Sequence, residues 1–575
     1  MRIKHFFGLA VLAAMTASCS SNNELVNGGN GSGENETGAS YASFSINLPT
    51  TRGTRAGSDP TFEKGDANEY DVFNATLLVF KKGTTAGEGN CTLAETVDLG
   101  SMEPWKKDPS ETGVTTQAKI TAKLSKVDKS GDYFALVLLN NVSGTDAKVT
   151  LPSEGDTFSA WNVATDATNF TDTKKGFYMA NAPLYNATDK SVTTLVAIDK
   201  KKIFPTEAQA SSGEAAADIY VERGLAKVTL TTATNYGDVG GSYVGDKVEI
   251  SNWALDVTNK KTFPIHNVDG LLKDYPDIWK NDAKETTAPS TQRFVDNNTK
   301  TKVKRVYWGT DPNYKETNLS AETTDSKKAR TDNFNYIKKE NLTAKPTDPL
   351  YCLENTFNLA NMVQGQTTRV VFKGTYTPKS ITPDANGTFY KIGKNVALWN
   401  SDDLKKHIVA AVTKVVAGAS AAGTTIDVDL NATENKLTVA GNRLLDKKNI
   451  SVNGIELTQP QVDAVNEKLG LSKGYGISTY EKGESYYIAR IKHFGDDQTP
   501  WKSGESYGDK NLKYLGRYGM LRNNWYVLNV QSVSGPGYPD VPDVKPNTPD
   551  DEDDKYIKVS VKILDWAKRS QDVNL

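Results

Sequence analysis

The sequence predicts a mainly β protein with a few short helices, and three observations predict it. Runs with period-two alternation or continuous β-branched and aromatic character recur along the chain, at 42–48, 72–80, 133–139, 219–230 and 557–563. Twenty-five tyrosines, 45 glycines and only six methionines suit pleated strands joined by polar turns better than helices packed on one another. Finally, 575 residues exceed what one hydrophobic core accommodates, since single cores stop growing near ~250–300 residues, so two folded domains with tails are expected. With 68 basic against 70 acidic residues, the net charge of −2 supplies no electrostatic reason for a nucleic-acid or anionic-membrane partner.

The N-terminus reads as an export signal. Arg2, Lys4 and His5 form a basic region and 6–15 an apolar one, shorter than the ~20 residues a membrane-spanning helix needs. Thr16, Ala17 and Ser18 lead into Cys19 as in a loosened bacterial lipobox, which would make Cys19 the lipidated end of the mature lipoprotein. The alternative is an ordinary signal peptide with Cys19 as a bystander, and both mean export. Lipid at Cys19 would then be the only membrane attachment, because no other segment has the length and apolarity to cross. The two remaining cysteines, Cys91 and Cys352, read as separate buried thiols rather than a disulfide framework.

Residues 20–40 are Ser, Asn, Gly and Glu with little to bury and are expected to form a disordered spacer. The first strand follows, with Ala42, Phe44, Ile46 and Leu48 on one face and Ser43, Ser45 and Asn47 on the other, ending at Pro49. The stretch 50–60 is polar and glycine-containing, the kind of loop proteases cut, and it offers Arg52 and Arg55 to a trypsin-like enzyme. Cleavage after Arg55 makes Ala56 the new N-terminus, with Arg52 as the alternative site.

The first domain is expected over 56–232, with strands at 72–80, 133–139 and 219–230. The middle run is apolar on both faces and reads as a central strand. Glycines at 237, 240, 241 and 245 mark an interdomain joint, and the second domain is placed at 233–533. Its strands include 248–257, 367–376 and 525–530, and its polar stretch 274–349 is expected to be a surface excursion. Two helices are credible there. Ser401 can cap a run in which Leu404, Ile408, Ala411, Val412 and Val415 recur at helical spacing, and Thr458 with Gln461 forms a capping box ahead of Val462, Val465 and Leu469, stopped by Gly470.

Residues 534–555 interleave prolines with aspartates and read as an extended, self-repelling linker. Beyond it, 556–575 holds a last strand, with Ile557, Val559, Val561 and Ile563 on one face and Lys558, Ser560 and Lys562 on the other. A strand needs a sheet for its backbone groups and apolar face. Two readings are open: it pairs as the edge of its own domain, or it reaches a neighbouring molecule. In the second, Phe44, Ile46 and Leu48 plug a groove in the precursor, cleavage at Arg55 opens it, and the C-terminal strand of another copy enters by β-strand addition. Such a head-to-tail contact does not close on itself and builds filaments.

No catalytic, metal or cofactor signature is present. His5, His266, His407 and His493 are scattered, and Asp427, Asp429 and Asn431 have calcium-loop spacing but lack its glycine and terminal glutamate. Trp253, Trp501 and Trp525 read as core or interface aromatics. The expectation is a non-enzyme without cofactor.

Several motifs in a fixed order carry a family resemblance: the lipobox at Cys19, Arg55-Ala56-Gly57 after the alternating strand, 130–137, 221–228 with Arg223 and Lys227, 351–355, 522–527, the Pro/Asp linker and a terminal strand ending in Trp566. In these the chain resembles the shaft subunits of the type V fimbriae of Bacteroidales, the fimbrillin family, and within it the minor-fimbria shaft type. The resemblance implies two transthyretin-like β-sandwich domains, a signal peptide over 1–18, a lipidated propeptide over 19–55 and an arginine-specific processing protease. It also implies a surface fimbria that polymerises head to tail with itself, joins accessory fimbrial subunits and meets host or bacterial surface ligands in adhesion. A non-polymerising surface binding lipoprotein and an accessory or tip subunit are the competing expectations.

Overall fold

The computed structural model describes residues 40–49, 69–102, 114–141, 147–170, 172, 174–186, 191–231, 235–236, 239–268, 305–314, 319–356, 361–494, 499, 501–502, 504, 514–551 and 557–565, with only the backbone at 49, 114–116, 235–236 and 557–565. The fold is mainly β, as its alternating runs require. Among the described residues no helix is long and apolar enough to cross a membrane.

The first domain contains β1 (Ser40–Pro49), β2 (Ala75–Lys81), β3 (Thr92–Gly100), β4 (Val114–Leu124), β5 (Tyr133–Leu139), β6 (Met179–Asn181), α1 (Glu207–Ser212) and β7 (Ala217–Arg223). Their order in the sheet is β3-β2-β5-β6-β7-β1-β4. The doubly apolar run β5 lies between β2 and β6, where both faces have something to cover. The end strands meet again where the Glu95 carboxylate of β3 accepts the Ser125 and Lys126 amides just beyond β4, at 2.7 and 3.0 Å, so the sheet wraps one core.

A single strand-like run at 219–230 is in fact two strands. Gly224 separates β7 from β8 (Leu225–Leu230), and a Cβ there would come within 3.0 Å of Phe170 and 3.1 Å of Tyr178. Leu225 still packs in the first core while Ala226 and Val228 belong to the second, so the chain passes from one core to the other just after Gly224 and not at 232–233.

The second domain continues with β9 (Lys247–Asp256), β10 (Leu350–Leu353), β11 (Arg369–Thr377), β12 (Phe389–Ile392), α2 (Ser401–Val415), α3 (Gln459–Lys468), β13 (Ile477–Tyr480), β14 (Glu484–Arg490), β15 (Asn524–Val533) and β16 (Ile557–Asp565). One sheet runs β10-β8-β15-β16, and another joins β9, β11 and β14. Between them lies a core of Trp253, Val370, Phe372, Tyr487, Tyr526 and Leu528, the second sandwich.

Four further expectations are corrected. The 233–533 block is not one sandwich: α2, α3, β12 and β13 enclose a separate core of Tyr390, Leu404, Ile408, Val412, Val462 and Val465. Both helices stand where their periodicity places them, and the Thr458–Gln461 capping box forms, but Asn400 rather than Ser401 caps α2, accepting from the Asp403 amide at 2.9 Å. Ser401 instead hydrogen-bonds Asp384 through its hydroxyl at 2.9 Å. Part of the polar excursion is interior, since Val306, Tyr307 and Trp308 pack with Phe494 and Leu515, an aromatic run that outweighs the polarity around it. Lastly, the described part of the Pro/Asp segment, 534–551, lies on the second domain instead of extending from it, for reasons given below.

Candidate assembly site

The N-terminal strand is not an appendage. β1 is inserted between β4, antiparallel to it, and β7, parallel to it, with Phe44 opposite Ile120 and Ala217, and Ile46 opposite Ala118 and Ile219. Ala42, Phe44 and Ile46 are fully buried and Leu48 is 1% exposed. Burying side chains of the Phe, Ile and Leu class contributes roughly 1.5–3 kcal/mol each before ordering costs.

The other face of β1 is covered as well. Ser43 is 1% exposed, with its hydroxyl donating to the Ala210 carbonyl of α1 at 2.6 Å and lying 2.8 Å from the Thr121 hydroxyl. The segment leading to and from α1 brackets the strand: Tyr41 and Phe204 exchange backbone hydrogen bonds at 2.7 and 2.8 Å, and the Ala216 amide donates to the Ser43 carbonyl at 2.6 Å. Residue types alone announced one buried face of β1, while the α1 roof over the serine face carried no period-two signal.

Cys19, Arg52, Arg55 and Ala56 lie outside the described residues. At the other end of the chain, β16 pairs antiparallel with β15 of its own chain, Ile557 opposite Val533, Val559 opposite Val530, Val561 opposite Leu528 and Ile563 opposite Tyr526. Of the two readings open in the sequence, this backbone arrangement is the intramolecular one. The physical cause is proximity, because β15 would otherwise present a row of unpaired amides and carbonyls at the end of its sheet.

Segment 534–551 is strapped down by arginines. Arg369 donates to the Pro542 carbonyl at 2.7 Å, Arg490 pairs with Asp550 at 3.1 Å, and Arg517 grips both oxygens of Asp551 at 2.7 Å each. Thr367 adds a 2.6 Å hydrogen bond to Asp550, which is 3% exposed. Tyr480 and Tyr487 donate to the carbonyls of Gly537 and Gly535 at 2.9 and 3.1 Å. Gly537 is required here, since its φ is +67° and a Cβ would meet the Tyr486 carbonyl at 2.5 Å. Aspartates that repel one another in an isolated linker are neutralised by a surface that supplies guanidinium groups.

The joint between the sandwiches is a buried ionic cluster. Glu69 pairs with Lys227, Glu222 with Arg305 and Glu354 with Arg522. His266 sits between two of these carboxylates, its Nδ1 2.9 Å from Glu222 and its Nε2 3.5 Å from Glu354. Burial pushes the Glu222 carboxyl up, but Arg305 and His266 outweigh it and hold it down to about 2. With Arg305 and Arg522 bound to the carboxylates, the cluster is an ion-pair lock between domains rather than a cation site. Among the described residues no group of acidic, His and Cys side chains is placed to hold a metal.

The calcium-like triad sits on a wet strand face and turn, with Asp427, Asp429 and Asn431 exposed and Val428, Leu430 and Ala432 buried. Trp253 is in the core, and the Trp525 indole donates to the Thr229 hydroxyl at 2.7 Å. Cys91 and Cys352 are free and buried, and burial pushes the Cys352 thiol up to about 12.

The chain is thus a mainly β protein with an N-terminal strand held inside one sheet and a strapped C-terminal strand at the edge of another. Residues 478–572 match the family described as major fimbrial subunit protein type IV, fimbrillin, C-terminal. That stretch takes in β14, β15, the strap and β16. The sequence resemblance named the minor-fimbria type where the matched description names the major one, and the fimbrillin family is their common ground. No curated protein sequence matches the chain significantly. Among solved structures, a candidate cell-adhesion protein from Parabacteroides distasonis shows 10% identity over 92% of this chain and 98% of its own, with a TM-score of 0.37. One from Bacteroides eggerthii shows 12% over 93% and 99%, at 0.33. A fimbrial assembly protein from Parabacteroides distasonis shows 11% over 39% and 65%, at 0.21.

Proposed function

We propose that the chain is a structural subunit of an adhesive surface fimbria that polymerises by strand exchange. It is exported as a lipoprotein attached through Cys19 at the outer membrane, and an arginine-specific protease cuts after Arg55, or after Arg52, in the segment following β1. β1 then leaves, opening a groove between β4 and β7, and the 557–563 strand of a neighbouring copy fills it. The mature form stands in the cell-surface fimbria beside accessory subunits, with surface ligands of the host or of other bacteria as its adhesive targets. The fimbrillin C-terminal match supports the subunit role and its coupling to adhesion.

The observation that carries the exchange is the place of β1: a terminal strand occupies an interior sheet position, so its loss exposes two strand edges and an apolar floor at once. A strand that fills this groove regains the backbone hydrogen bonds it gives up on leaving β15, while burying the floor adds apolar stabilisation.

A second reading has its own support. The pairing of β16 with β15 in the same chain fits a surface binding lipoprotein that never polymerises. N-terminal sequencing of the surface-assembled form separates the two. A free end at Ala56 or Gly53 is expected for the fimbrial subunit, and a lipidated Cys19 end alone would establish the non-polymerising lipoprotein.

A further inference from the structure

The groove that β1 occupies is not equally open along its outer face. Position 43 is roofed by α1 and position 47 is also closed, at 1% and 4% exposure, whereas Ser45 between them is half-buried. Around position 43 the groove wall presents the Ala210 carbonyl and the Thr121 hydroxyl, both engaged by the Ser43 hydroxyl. Around position 45 it presents the exposed Lys119 on β4 and the exposed Asp218 on β7. The Lys119 ammonium is already turned to carbonyls at the C-terminal end of α1, donating to Ser211 at 2.9 Å and to Gly213.

The incoming strand carries Lys558, Ser560 and Lys562 on its polar face. If Ser560 took position 45, the two lysines would fall at the closed positions 43 and 47, where a long ammonium side chain has neither room nor water. If Ser560 took position 47, Tyr556 or Leu564 would fall under the roof and leave the Ala210 carbonyl without a donor. With Ser560 at position 43, its hydroxyl replaces that of Ser43. One lysine then lies at the half-buried position 45 beside Asp218, and the other at position 41, where Tyr41 is half-buried. Val559 and Val561 fall at the apolar positions 42 and 44. This pattern reads the same in either strand direction, because Lys, Ser, Lys and the flanking valines are symmetric about Ser560. Leu564 or Tyr556 then falls at position 47, an uncharged side chain in a closed site, and at position 48 the strand keeps only its β4 neighbour, since the β7 pairing stops at Asn47.

Resting on the strand-exchange reading, we propose that Ser560 sets the register of subunit joining: in the fimbria it sits at the position of Ser43, beneath α1 and opposite Thr121 of the next copy. The α1 roof is the specificity element, accepting a small hydroxyl side chain at one point in the groove and refusing lysine and bulky apolar residues. A second copy of this chain is the partner that fits.

The test uses full-length, processed subunits carrying Thr121→Cys together with one of Tyr556→Cys, Lys558→Cys, Ser560→Cys, Lys562→Cys or Leu564→Cys, oxidised after polymerisation and separated by denaturing, non-reducing electrophoresis. A precursor with Ser43→Cys and Thr121→Cys checks that position 121 is competent, since those residues are opposed in β1 and β4 and should form an intrachain disulfide. A covalent ladder from Ser560→Cys alone is expected. A ladder from one of the other four instead overturns the register and leaves strand exchange standing. Fibres that form with no ladder from any of the five overturn strand exchange, and the register with it.

Discussion

Arg517 and Asp551 meet in a two-point ion pair, Nε to Oδ2 and Nη2 to Oδ1 both at 2.7 Å, with only 2% and 4% of their side chains exposed. The Tyr518 hydroxyl completes the carboxylate at 2.7 Å. This pair holds the strap to the second domain at residue 551. Removing one partner strands a buried charge, which costs about 3–5 kcal/mol. Arg517→Ala is therefore expected to loosen the C-terminal segment more than the domain as a whole. Limited proteolysis checks it: cutting within 534–551 should accelerate well before the thermal midpoint of the sandwiches moves, and an unchanged cleavage rate would contradict the strap.

Processing is addressed by Arg52→Ala with Arg55→Ala. If β1 must leave before exchange, the double variant accumulates as folded, lipidated monomer. Size-exclusion chromatography and denaturing gels of surface fractions read the outcome, and normal high-molecular-weight ladders would remove cleavage from the mechanism.

A covalent lock isolates the departure of β1 from the cleavage itself. With Ser43→Cys and Thr121→Cys oxidised, the protease can still cut after Arg55 but β1 stays in its sheet. Polymer is expected only after reduction. Polymer from the oxidised protein would mean that the groove is not the joining site.

The C-terminal strand should respond unequally on its two faces. Val559→Asp with Val561→Asp puts two carboxylates on the apolar face, a cost of several kcal/mol in a closed groove, and polymer should vanish. The monomer should stay folded, with at most a small drop in thermal midpoint, because β16 is an edge strand on β15. Lys558→Ser with Lys562→Ser should change little. Unfolding of the isolated monomer by the Asp pair would make the strand a part of its own core and favour the binding-lipoprotein reading.

Acid should weaken the joint between domains. The Glu222 carboxyl is held at about 2 against an ordinary value of 4.5, so its stabilisation is complete above about 4.5 and is lost as the pH falls through about 2. A shift of that size corresponds to roughly 3 kcal/mol. Chemical denaturation from pH 7 to pH 2.5 should show wild type losing stability on this order, while Glu222→Gln starts less stable and changes less. Parallel curves for the two proteins would relieve Glu222 of this role.

Strong local periodicity made most of the framework legible. β5 coincides with its predicted run, the alternation at 42–48 assigned the buried face of β1, and the Thr458–Gln461 box marked the start of α3. These succeed because side-chain direction in a strand, or capping at a helix start, is decided by residues a few positions apart. What the sequence determined by itself is therefore the mainly β class, the positions of its chief strands and helices, and the apolar face each presents. Only the tertiary structure decided that 219–230 breaks at Gly224 between two cores, that α1 roofs Ser43, that three arginines hold the strap and that β16 lies on β15. Each of these depends on partners far away in the chain, such as Phe170 and Tyr178 for Gly224 or Arg490 for Asp550, and a pattern of period two or 3.6 contains no information about which distant surface a segment will meet.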